Sequence, residues 1–91
     1  MSLWTADIHR NGTFDQFINF PSGVINRHSH VLVSICEISQ PAGEPLDFPF
    51  IGDATMTIHN ICPRDDNHLQ VRISIDWDSP LNCRLWITIL D

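Results

Sequence analysis

The chain has 91 residues, a formal charge of -6 and five basic side chains, all Arg. No basic stripe can be assembled from so few cations, which argues against nucleic acid and anionic membrane as partners. No apolar run approaches the roughly 18–20 residues that would span a bilayer, and the N-terminal residues lack the basic-then-apolar pattern of a signal peptide.

A chain of this length reads as one domain, residues 1–91. It buries only about 60–65% of the surface its unfolded form exposes, so a disulfide framework, a metal or oligomerisation is expected to support it. The three cysteines, Cys36, Cys62 and Cys83, are odd in number and contain no CxxC pair. That fits neither disulfides nor zinc, and it leaves Cys36 and Cys83 as buried free thiols in apolar strands. Oligomerisation is the expected support.

Taken in order, the chain contains six strand-like runs and no helical periodicity. Leu3 to His9 is a short first strand, closed by the turn pair Asn11-Gly12. Phe14 to Phe20 is the second, stopped by Pro21-Ser22-Gly23. His30 to Ser39 is the third. Pro41 to Pro49, with three Pro and a Gly, reads as a loop. Asp53 to Ile61 is the fourth, and Cys62 to Asn67 the next turn. Leu69 to Leu90 reads as a closing hairpin. Leu69, Val71, Ile73, Ile75 and Trp77 alternate against Gln70, Arg72, Ser74 and Asp76; Cys83, Leu85, Ile87 and Ile89 resume the period after Asp78-Ser79-Pro80. Close-spaced short strands with turn signals predict an all-β, six-stranded antiparallel sandwich.

The third strand is apolar on both faces: Val31, Val33 and Ile35 on one, Leu32, Cys36 and Ile38 on the other. A second buried face predicts a partner subunit, with Val33 at the interface. The competing reading has the long loop Gln40 to Phe50 cover that face.

Chemistry is sparse. His28-Ser29-His30 offers half a metal site with no third ligand at fixed spacing. Asp65-Asp66-Asn67 lacks the rest of a calcium loop. No nucleophile elbow or cysteine-protease signature is present, so we expect no enzyme, no metal and no cofactor. Trp77-Asp78 is more informative. At a sandwich rim, an indole face can stack on a sugar while the carboxylate accepts hydroxyl hydrogen bonds. Parity alone favours Trp77 as a cap on the core.

Three segments resemble the H-type lectin family of the snail agglutinins and the discoidin C-terminal domain. They are Phe17-Ile18-Asn19-Phe20, Val31-Leu32-Val33-Ser34-Ile35, and the pair Ile75-Asp76-Trp77-Asp78-Ser79 and Leu85-Trp86-Ile87-Thr88-Ile89. The resemblance implies a six-stranded sandwich forming a homotrimer or a dimer of trimers. It also implies a glycan such as N-acetylgalactosamine held between protomers without metal. The family's binding Trp and the polar residue after it correspond to Trp77 and Asp78. Its sugar-binding Arg falls near Asp53, so that charge is reversed here. Its N-terminal binding Asp lies closest to His9–Asn11, where Arg10 is the candidate. The family's disulfide cysteines have no counterparts. The expected ligand is therefore a neutral or amino sugar rather than an acidic one. The alternative is a structural trimerisation or adhesion head that has lost sugar binding.

Overall fold

A computed structural model describes residues 1–39 and 47–91. The described residues form seven strands: β1 (Ser2–Arg10), β2 (Gly12–Asn19), β3 (Val31–Ser39), β4 (Phe48–Phe50), β5 (Thr55–Pro63), β6 (His68–Asp76) and β7 (Leu81–Ile89). They make two antiparallel sheets, one ordered β1-β7-β3-β4 and the other β2-β6-β5. The fold is all-β, as the alternation predicts.

β4 was not expected. It lies at the end of the segment read as a loop, the rest of which, residues 40–46, is outside the described residues. Its central residue is Pro49, which has no N–H to give a ladder. Such a strand is tolerated only at a sheet edge, which is where β4 sits beside β3.

The expected hairpin of Leu69 to Leu90 is not formed. β6 is the middle strand of the three-stranded sheet, and β7 lies between β1 and β3 in the other. The reason is physical. Both strands carry a fully apolar alternate face, Leu69, Val71, Ile73 and Ile75 on one and Cys83, Leu85, Ile87 and Ile89 on the other. In a hairpin both faces would lie on the same side of one sheet and need a further layer to cover them. Placed in opposite sheets they cover each other, and all eight side chains are fully buried. The connection of residues 77–80 reaches across the sheet spacing of about 10 Å, since an extended chain covers roughly 3.3–3.6 Å per residue. The crossing starts at once: the Trp77 N–H donates to the Ile75 carbonyl at 2.9 Å, a three-residue turn that ends the alternation. Trp77 thereby leaves the core row and is 40% exposed, against the parity reading that made it a core cap.

Val33 is also placed differently from the interface expectation. It pairs with Ile87 and shares its inward face, so it packs half-buried on the protomer's own core with Val31 and Ile35. On the opposite face of β3, Ile38 is buried and Cys36 half-buried. Ile38 pairs with Pro49 of β4, and the Cys36 thiol donates to the Phe50 carbonyl at 3.2 Å. Leu32, further along that face, is 59% exposed.

The two outer faces differ. That of the three-stranded sheet is a polar network. Asp15 accepts from Arg72 at 2.8 and 3.1 Å and from Gln70 at 2.9 Å, while Ser74 hydrogen-bonds both Thr13 and His59. That of the four-stranded sheet places Leu3 opposite Thr88 and Thr88 opposite Leu32, with Trp86 in the next row. Leu3 is 74% exposed and Leu90 48%. Among the described residues no helix is long and apolar enough to cross a membrane.

Candidate functional site

The site lies at one rim, where the end of β3, the chain from β4 to β5 and the β6–β7 crossover meet. The inward row of β3 runs Val31, Val33, Ile35 and then Glu37, so the apolar row ends in a carboxylate at the mouth between the sheets. Glu37 pairs with Cys83, which is fully buried. Burial, first, and the negative charge of Glu37 beside it push the Cys83 thiol up to about 11. This thiol is protonated at neutral pH and is a packing residue.

Gly52 makes room for the carboxylate. A methyl group at Gly52 would lie 2.7 Å from Glu37 Oε1 and 3.2 Å from the Phe50 ring, inside ordinary van der Waals distance. A residue with no side chain lets Glu37 and Phe50 approach at this point.

A cavity of about 210 Å³ opens there, lined by Glu37, Phe50, Asp53, Trp77 and Leu81. Sequence reasoning selected two of these residues, Asp53 and Trp77, and the fold brings them together from segments far apart in the chain. Asp78 is exposed in the crossover and does not line the cavity. Arg10 does not line it either. Its guanidinium lies 4.0 Å over the Phe14 ring and donates to Gln16 Oε1 at 3.3 Å. Its neighbour Asn11 does bear on the site: the Asn11 side-chain amide donates to the Trp77 carbonyl at 3.1 Å and fixes the start of the crossover.

Glu37, Phe50 and Gly52 were not selected from the sequence; Asn11 lies in the stretch His9–Asn11 that the resemblance sets against the family's binding Asp, where Arg10 is the candidate. Of the three, only Glu37 left a signal, as a charge on the inward parity of an apolar strand. Phe50 and Gly52 depend on contacts with a distant segment.

A larger cavity, about 740 Å³, lies beside the first. It shares Glu37, Phe50 and Leu81 with the first and extends to Asp7, Asp47 and Asn82. The Asp7 carboxylate is already engaged by Arg84, through two hydrogen bonds of 2.6 and 2.9 Å, which hold it below the usual carboxylate range. Asp47 lies 3.9 Å from the same guanidinium. We place the site in the smaller cavity, because there the aromatic and acidic groups face open space without a protein cation among the described residues.

His28 and His30 are both exposed. Among the described residues no three His, Cys, Asp or Glu side chains converge as a metal site. The chain matches no protein-family model, no curated protein and no solved structure.

Proposed function

We propose that this chain is a carbohydrate-binding module that acts as a homotrimer or a dimer of trimers, holding a neutral or amino sugar at a protomer boundary without metal. The observation that carries the reading is Trp77. The turn after Ile75 removes it from the core and leaves it half-exposed on a small cavity with Asp53, Glu37 and Phe50. An aromatic face beside carboxylate acceptors is the arrangement that holds a pyranose: the ring stacks on its C–H face and the carboxylates accept from its hydroxyls. With a volume of about 210 Å³ the cavity suits a ligand no larger than one monosaccharide; a single such site would be weak, and several sites on one assembly would raise avidity by about 10²–10⁴ on a multivalent surface. The likeness to H-type lectins in the strands around Trp77 points the same way, with Asp78, next in the chain, at the edge of the site.

A glycan array on the purified protein tests the reading. Neutral or amino glycans are expected to bind and acidic ones not, because Glu37 and Asp53 repel a carboxylate. Trp77→Ala and Asp53→Ala should each abolish the signal while circular dichroism stays unchanged. Selective sialic-acid binding, or full binding by both variants, would refute it.

The second reading is a structural or adhesion head without sugar binding. The apolar outer face around Leu3, Leu32 and Leu90 favours it, since such a patch suits association between copies whether or not a ligand is held.

A further inference from the structure

We propose that the rim cavity selects a ligand carrying an ammonium group, a hexosamine with a free amine, and that Glu37 is the residue that recognises the charge. This rests on the carbohydrate reading of the same cavity and narrows it to one substrate class.

Three independent features of the cavity lead to this class. The first is the position of Glu37. It continues the inward row of β3 and lies across from the fully buried Cys83. A carboxylate at the edge of an apolar core is costly to desolvate unless a cation or donor meets it. The five ion pairs that Arg side chains make among the described residues go to Asp7, Asp15, Asp47, Asp65 and Asp66, and none goes to Glu37 or Asp53. The second is the aromatic wall. Phe50 and Trp77 line the same space as Glu37 and Asp53. A ring face attracts a cation through its quadrupole, so the aromatic and acidic walls favour the same ligand charge. The third is Gly52. Its missing side chain is what allows the Glu37 carboxylate to lie next to the Phe50 ring. The anionic potential reaches into the protein, where it helps raise the Cys83 thiol.

An ammonium ion has three donors and no acceptor, which matches two carboxylates. A neutral hexose can use the aromatic stacking but leaves the charge of Glu37 unmet. An N-acetylated sugar has the bulk without the cation.

Calorimetric titration with glucosamine, glucose and N-acetylglucosamine, and with the corresponding galactose series, tests this. The amine-bearing sugar is expected to bind about tenfold tighter than either neutral relative, the effect of one charge-assisted hydrogen bond. Glu37→Gln keeps the shape and should remove that preference while leaving the hexose affinity within about twofold. Asp53→Asn reports the second carboxylate and should reduce the preference. Trp77→Ala should weaken all three sugars together. The preference should also shrink between about 0.1 and 1 M salt, where screening lengths fall from about 10 to 3 Å. Equal binding of charged and neutral sugars, or tighter binding of the N-acetylated one, would overturn the role of Glu37 and leave the carbohydrate reading standing. No binding of any of the sugars would overturn both.

Discussion

The outer faces of the two sheets are built from the same strand period and reach opposite results. On the three-stranded sheet, Thr13, Asp15, Gln70, Arg72, Ser74 and His59 hydrogen-bond one another across strands. Phe17, 52% exposed opposite Gln70, is the apolar exception on that face. On the four-stranded sheet, Asp7–Arg84 and His9–Asn82 make two comparable pairs at one end, and beyond them the rows hold Leu3, Thr88, Leu32 and Trp86. A cavity of about 230 Å³ between Leu3, Thr5, Trp86 and Thr88 is lined mainly by apolar atoms. The sheets share one apolar core and differ on their outer faces. The apolar outer face is where an assembly would form, and the polar one is where it would not.

The largest effect should come from the shared interior. Ile73→Ala in β6 and Ile87→Ala in β7 each empty a fully buried site, and each should cost about 2–5 kcal/mol, a large part of the roughly 5–15 kcal/mol that holds a domain folded. Urea unfolding should place both variants near one another. A large inequality would mean that the two inner faces do not share one core.

Next comes association. Leu32→Asp puts a charge on the apolar outer face without touching the core. Sedimentation velocity should show the assembly falling to monomer while circular dichroism is kept, because an unpaired charge buried at an interface is costly. Thr57→Asp, on the polar sheet, should leave the mass unchanged. A wild-type monomer at micromolar concentration would sink the oligomer proposal, and a mass change from Thr57→Asp would reverse the assignment of faces.

A smaller effect is expected from acid. Hydrogen bonds from Arg72 and then Gln70 lower the Asp15 carboxyl below its ordinary value of 3.8, and Arg84 does the same for Asp7. A group depressed in the folded state contributes stability above its unfolded pKa, and that contribution is lost as pH falls through the folded value. Urea midpoints should therefore drop below pH 3.8. Asp15→Asn and Asp7→Asn should each flatten that drop, one on each sheet. Asp7 is exposed and Asp15 partly so, and both effects should be modest.

The smallest structural effect should be Gly52→Ala. The added methyl meets Glu37 Oε1 and the Phe50 ring, and the carboxylate, at the end of a flexible side chain, swings away. Stability should change little. Affinity for a hexosamine should fall, and titration should detect it.

Much of the fold was legible in the chain. Period-two alternation in β6 and β7 identified all eight residues that prove fully buried, because alternation reports directly which side chains share a face. Trp77 drew notice by its place before a polar turn and Asp53 only through the resemblance to H-type lectins; both line one cavity. Alternation cannot say which sheet a strand joins. The turn at Asp78-Ser79-Pro80 suits a hairpin and a crossover equally, and only the need of two apolar faces for each other separates β6 from β7. The same limit applies to β3, where parity showed two apolar faces but not that Val33 points at Ile87's side of the sheet while Leu32 points out. The rim site was the least legible. Glu37 comes from β3, Phe50 and Gly52 from β4 and the residues just after it, and they become neighbours only when β4 adds to the edge of β3. Local chemistry settles where strands begin and which face is apolar; long-range packing decides which faces meet, and so where a binding site can open.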